Sequence, residues 1–154
     1  MKAMFSVCVR VDSSTQIGTG HLRRCLVLAG ELKKRGFRIV FFSKKLEGNF
    51  NFLVPENEFS LIEIPPNEEC CIKYIANLIG KKKADLFIVD HYDLGAPWER
   101  EVKSCAKSVV VIDDLANRDH DCDMILDQNH FCQAKRRYNG KINGDCKKLF
   151  GPKY

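Results

Sequence analysis

FSVCVRVDSSTQIGTGHLRRCLVLAGELKKRG, residues 5–36, is the stretch that decides the fold. Phe5 to Asp12 alternates imperfectly but is rich in valine and ends in polar side chains, the pattern of a buried strand whose far end leaves the core. Ser13 to Gly20 reads as a loop. From His21 to Arg35 the apolar residues Leu22, Cys25, Leu26, Ala29 and Leu32 recur at steps of three and four, which predicts an amphipathic helix, and Gly36 supplies its stop.

The alternation continues along the chain. Arg38 to Ser43 reads as a strand, followed by an irregular stretch through Pro55 with room for a short helix, then a strand from Phe59 to Ile64. Asn67 is placed to cap a helix containing Cys71, Tyr74, Ile75, Leu78 and Ile79, and Gly80 with Lys81 to Lys83 closes it as the helix dipole favours. Leu86 to Asp90 is a short buried strand, Pro97 to Cys105 a helix with proline in its first turn, and Val109 to Asp113 and Met124 to Asp127 are further strands. Together they predict an α/β domain, a Rossmann-like parallel sheet with helices on both faces, over residues 1–130. Residues 131–154 read as a polar excursion leading out of that domain, because Gln133 to Lys148 is basic, glycine-containing and without an apolar period.

Composition narrows the function classes. The chain has 154 residues, 45% hydrophobic and 29% charged, as expected of one globular domain with a real core. The apolar stretches Phe37 to Phe42 and Val109 to Ile112 fall far short of the ~20 residues that cross a bilayer, so no membrane partner is expected. Met-Lys-Ala-Met runs straight into a strand with no apolar leader, which reads as cytoplasmic. The eight cysteines are then expected as reduced thiols, with Cys8 and Cys25 acting as small core hydrophobes. Cys70-Cys71 lacks a C-x-x-C partner, and His120, Cys122, Asp123, His130 and Cys132 follow no common zinc spacing, so neither a metal nor another cofactor is expected. The net charge of +5 is concentrated in Lys33-Lys34-Arg35, Lys81-Lys82-Lys83 and Lys135-Arg136-Arg137, without the interleaved aromatics of a nucleic-acid surface.

In open α/β sheets ligands bind outside the carboxyl ends of the strands, and polar residues collect there. The strands end in Arg10 and Asp12, in Asp90-His91-Tyr92, in Asp113-Asp114 and in Asp127-Gln128-Asn129. Any one of these sets would serve to cap the next helix; four together point to a ligand. Gly18-Thr19-Gly20-His21 lies between strand and helix, where glycines allow a tight turn and the helix N-terminus offers unpaired N–H groups. The full G-x-G-x-x-G pattern is missing, since Arg23 stands three after Gly20, and no Walker lysine follows, which disfavours a dehydrogenase or a P-loop ATPase. At a helix start the dipole disfavours imidazolium, so His21 is placed to accept a proton as a general base; the alternative is a histidine that caps or packs locally. Arg23 and Arg24 sit at the wrong helix end for cations, which calls for an acidic partner in the protein or the substrate.

These residues resemble the PseG family, the UDP-2,4-diacetamido-2,4,6-trideoxy-β-L-altropyranose hydrolases of pseudaminic acid biosynthesis. The resemblance rests on Arg10-Val11-Asp12-Ser13-Ser14, Gln16-Ile17-Gly18-Thr19-Gly20-His21 with Arg24, Val89-Asp90-His91-Tyr92 and Ile112-Asp113-Asp114-Leu115. It continues through His120-Asp121-Cys122-Asp123 and Leu126-Asp127-Gln128-Asn129 to Gly151-Pro152-Lys153-Tyr154. It implies the N-terminal half of a GT-B-like two-domain fold and a metal-independent, inverting cleavage of the anomeric C–O bond of a UDP-sugar. In that reading His21 is the base and Tyr92 helps hold the water or substrate. The candidate substrate contacts are Arg10, Asp12, Ser14, Gly18, Gly20, Arg24, Asp90, His91, Asp114 and Asn129. The family's C-terminal, nucleotide-binding half has no counterpart here, and is expected as a missing domain or a separate chain. Two alternatives stay open: a catalytically silent remnant acting as a binding module, and half of a related GT-B glycosyltransferase.

Overall fold

The computed structural model describes residues 5–154; the Met-Lys-Ala-Met start lies outside them. Seven strands form one sheet: β1 (Ser6–Val11), β2 (Arg38–Lys44), β3 (Ser60–Ile64), β4 (Leu86–Asp90), β5 (Val109–Ile112), β6 (Met124–Asp127) and β7 (Lys147–Phe150). Their order is β3-β2-β1-β4-β5-β6-β7, and every neighbouring pair is parallel. The chain builds outward from β1 to β3 and then returns to place β4 on the other side of β1. That reversal leaves a crevice at the carboxyl ends of β1 and β4.

Both faces of the sheet are covered, which is why its central strands are almost continuously apolar. On one face, helix α1 (Gly20–Lys34) packs Leu22, Cys25 and Ala29 onto Val7, Val9, Ile39 and Phe41, and the short helix α2 (Leu53–Glu56) adds Val54. On the other, helices α3 (Glu68–Ile79) and α4 (Ala96–Val102) bring Cys71, Ile72, Ile75, Trp98 and Val102 against Phe42, Phe87 and Val89. Phe87 stacks on Phe42 and meets the edge of Trp98 at 5.9 Å between centroids.

The helix ends follow their local chemistry. α1 stops at Gly36, whose φ of +86° a side chain would resist, with Lys33 and Lys34 in its last turn. Asn67 accepts the Cys70 N–H at 3.2 Å, the expected cap of α3. Of the apolar residues of α3, Cys71, Ile72 and Ile75 are buried and Ala76 and Ile79 pack beside them, while Tyr74 and Leu78 are 41% and 48% exposed. α4 ends three residues early: the Ser104 and Cys105 N–H groups turn back to Glu101 and Val102, tightening the chain before Cys105.

Between β5 and β6 the chain crosses on an extended loop, so its polar groups need partners from elsewhere. Glu99 of α4 supplies them, accepting from His120 Nδ1 at 2.7 Å and from the Asp121 N–H at 2.5 Å. The segment read as a polar excursion has structure of its own. It carries a short helix, α5 (Ala134–Arg137), a Tyr138 only 1% exposed, and β7, which extends the sheet beside β6. β7 is an edge strand with Lys147 and Lys148 exposed and Leu149 and Phe150 half-buried, and such an edge shows neither alternation nor an apolar run. Among the described residues no helix is long and apolar enough to cross a membrane.

Candidate active site

At the β1/β4 reversal lies a cavity of about 280 Å³, lined by Asp12, Gln16, Ile17, His21, Asp90, His91, Tyr92 and Asp93. The loop from β1 to α1 forms one wall. The Ser14 hydroxyl accepts the N–H groups of Gln16 and Ile17, and the Gly18 N–H returns to the Ser14 carbonyl at 2.8 Å. Closing that turn requires a φ of +81° at Gly18, which favours glycine. Gly20 begins α1, and His21 follows in its first turn, 9% exposed.

His21 is oriented by a carboxylate 69 residues away. Its Nδ1 lies 2.6 Å from Asp90 Oδ1, and the Arg24 guanidinium grips the same carboxylate with Nε on Oδ2 and Nη2 on Oδ1, both at 2.5 Å. Arg24 Nη2 is also 3.0 Å from His21 Nδ1; with Arg24 permanently protonated, both nitrogens act as donors converging on Asp90 Oδ1. Nδ1 therefore carries a hydrogen, which in the neutral ring leaves the lone pair on Nε2, an atom with no hydrogen-bond partner among the described residues. Burial pushes the Asp90 carboxyl up, but hydrogen bonds from Arg24 and His21 outweigh it and hold it below the usual range. Asp90 and Asp114 are thus the acidic partners that Arg24 required, Asp114 Oδ2 lying 3.4 Å from Nη1, while Arg23 is exposed.

The second histidine of the pocket is engaged at both nitrogens. His91 Nε2 donates to Asp12 Oδ2 at 3.1 Å, and Nδ1 accepts the Asp93 N–H at 3.1 Å, leaving no ring nitrogen for a ligand. Asp12 is equally occupied: it holds Arg10 through both oxygens, at 2.5 and 2.8 Å, and accepts the Lys44 N–H at 2.8 Å. Burial raises the Asp12 carboxyl, but the bonds from His91 and Arg10 reverse this and hold it well below the usual carboxylate range. Arg10 is fully buried, so the pair frames the pocket floor and ties β1 to β2.

Tyr92 stands edge-on to His21 with 4.4 Å between centroids, and is 39% exposed. Burial and a hydrogen bond to Asp114 raise its phenol, so it stays a donor at neutral pH. The structure thus brings His21, Tyr92, Asp12, Asp90 and His91 to one cavity, with Arg10, Ser14, Gly18, Gly20, Arg24 and Asp114 behind or beside it. Asn129 is exposed and lies outside the lining, its N–H bonded to Asp127. Gln16, Ile17 and Asp93 line the cavity too; Gln16 and Ile17 stand in the sequence only as part of the glycine-loop motif, and Asp93 carries no signal there. So does one supporting residue go unmarked there: Arg118, which donates to the carbonyls of His91 and Leu94 and to Asp113, all at 2.8 Å, pinning the loop that presents Tyr92. No spacing rule marks it; only its place after Asp113-Asp114 hints at a strand-end role.

No family model matches the chain. Over its whole length it is 32% identical to the UDP-2,4-diacetamido-2,4,6-trideoxy-beta-L-altropyranose hydrolase of Campylobacter jejuni, and it covers 51% of that protein. Over 149 residues, 96% of the chain, it is 24% identical to an uncharacterized protein of Methanocaldococcus jannaschii, of which it covers 30%. The chain therefore spans about half the length, or less, of these curated relatives, and the similarity supports a relationship to the UDP-sugar hydrolase.

Proposed function

We propose that the chain is the base-bearing half of a nucleotide-sugar hydrolase. The observation that carries this reading is the pairing of His21 with Asp90 at the sheet's reversal point, Nδ1 committed to the carboxylate and Nε2 left for the cavity, in a chain similar throughout its length to a UDP-sugar hydrolase. His21 Nε2 takes a proton from a water, the water oxygen attacks the anomeric carbon, and the C–O bond to the diphosphate breaks, releasing UDP and the free sugar with inversion. Asp90 stabilises the imidazolium that forms, and Tyr92, whose hydroxyl hydrogen Asp114 engages, accepts from the water or a sugar hydroxyl beside it. Arg24 neutralises Asp90, so the carboxylate orients the ring from within an ion pair.

The finer assignment is UDP-2,4-diacetamido-2,4,6-trideoxy-β-L-altropyranose as substrate, in pseudaminic acid biosynthesis. UDP itself is held by a second, C-terminal half, supplied in the same polypeptide or as a separate chain. The test is sugar release from that substrate by the chain alone and fused to the second half of the Campylobacter jejuni relative, with the intact relative as control. Hydrolysis by the fusion and none by the isolated chain is expected. An inactive fusion beside an active control would favour a silent binding module.

A further inference from the structure

Away from the pocket, Cys122 and Cys146 place their sulfurs 3.6 Å apart, although 24 residues separate them in sequence. The contact is built by the sheet. Met124 of β6 pairs with Lys147 of β7, and the Lys147 N–H bonds to the Asp123 carbonyl at 2.9 Å, so the two cysteines lead into neighbouring parallel strands. Such strands run about 4.8 Å apart, inside the ~4.4–6.8 Å Cα separation that a disulfide spans. Both side chains belong to the same core cluster and are 3% and 6% exposed. Cys122 and Cys146 are among the residues lining a cavity of about 290 Å³, with Lys103, Asp123, Asn143 and Asp145.

We propose that Cys122 and Cys146 are a redox-active dithiol that hydrogen peroxide converts to a disulfide in the folded protein. Cys146 is the attacking sulfur: the hydrogen bond from Cys122 holds its thiol below the ordinary value against the effect of burial, with Lys148 assisting, while Cys122 is pushed up. The Cys146 thiolate attacks the peroxide oxygen, the O–O bond breaks, and a sulfenic acid forms with release of hydroxide. The Cys122 sulfur then attacks the Cys146 sulfur, the S–O bond breaks, and water leaves with the proton from Cys122. Two thiols are oxidised by two electrons and the peroxide is reduced to two waters. Each sulfur has to move less than about 1 Å to reach the ~2.05 Å of an S–S bond.

The bond would enclose residues 122–146, which carry α5 and Tyr138. Tyr138 stacks on Phe150 at 5.0 Å and donates to Asp113 and Asp127, so oxidation fastens the edge strand and the segment that ties two strand ends together.

The experiment exposes the native chain to hydrogen peroxide, quenches with an alkylating agent and maps cysteines by mass spectrometry of a non-reducing digest. Cys70 and Cys132, both exposed, are the internal controls. The expected result is a Cys122–Cys146 link, loss of two hydrogens from the intact mass, reversal by dithiothreitol, and a melting temperature raised by roughly 5–10 °C. The link should be absent from Cys122→Ala and Cys146→Ala. Oxidation of Cys70 or Cys132 with Cys122 and Cys146 still alkylated, or a link that forms only in urea, would overturn the proposal. Because the wild-type digest decides, a variant that fails to fold does not rescue it.

Discussion

Replacing Asp90 with Asn removes the charge at the centre of the pocket while keeping its shape. In the native chain the carboxylate, 1% exposed, accepts from Arg24 twice, from His21 Nδ1 and from the Cys25 thiol at 3.4 Å. An Asn amide offers one acceptor oxygen and turns an N–H₂ group toward either the guanidinium or the imidazole. Removing one partner of a buried ion pair costs about 3–5 kcal/mol. The Arg24 side chain is 19% exposed and keeps Asp114 at 3.4 Å, which places the expected loss nearer 2–3 kcal/mol. The amide donor facing Nδ1 also shifts the imidazole hydrogen to Nε2, taking away the lone pair that faces the cavity. Urea unfolding followed by circular dichroism reads the first effect as a lower midpoint at unchanged slope. Nitrogen-15 NMR of labelled histidine reads the second. Asp90→Asn that loses less than about 0.5 kcal/mol and keeps its hydrogen on Nδ1 would refute the reasoning, since that is the range of an ordinary surface change.

Acid should destabilise the chain from about pH 4 downward, the ordinary carboxylate range. Asp12, Asp90 and Asp113 all titrate below that range when folded, so their contribution is complete above it and is lost as pH falls; urea midpoints between pH 7 and pH 3 check this. His120 runs the other way. Burial lowers its affinity for the proton, but Asp113, 3.6 Å from Nε2, and Glu99 outweigh this and raise it above 6.5. Its contribution is therefore present below pH 6.5 and lost as pH rises through the raised value, and His120→Gln should flatten that part of the stability–pH curve relative to wild type. Gly48→Ala drives a Cβ into Thr15 Cγ2 at a φ of +60°, so the urea midpoint should fall by an amount equivalent to about 1–2 kcal/mol; Thr15→Ala should relieve the contact but not the backbone strain.

The β1–loop–α1 unit was legible because strand alternation, glycine loop and helical period agree over thirty residues. Strand order was not, since nothing local tells β4 to return beside β1, and the His21–Asp90 contact depends on that return. The two histidines show the same limit. His21 and His91 were both visible as strand-end polar residues, but only the fold shows that Asp12 and the Asp93 backbone occupy both nitrogens of His91 while His21 keeps one open. Asn129 is grouped with the site by its position after a strand; β6 is separated from β1 by β4 and β5, and Asn129 is not among the residues that line the cavity. β7 was hidden by its lysines, and Arg118 by acting on carbonyls, which leave no mark in a sequence.

The most direct measurement compares turnover of the UDP-sugar by the fusion to the Campylobacter jejuni second half, carrying His21→Asn or His91→Asn. His21→Asn should lower kcat by about 10²- to 10⁴-fold with KM little changed, the loss of a general base, whereas His91→Asn should act mainly through stability and leave kcat closer to wild type. Near-native kcat for His21→Asn, or an equal collapse of kcat for His91→Asn in a fully folded protein, would contradict the assignment of His21 as the base.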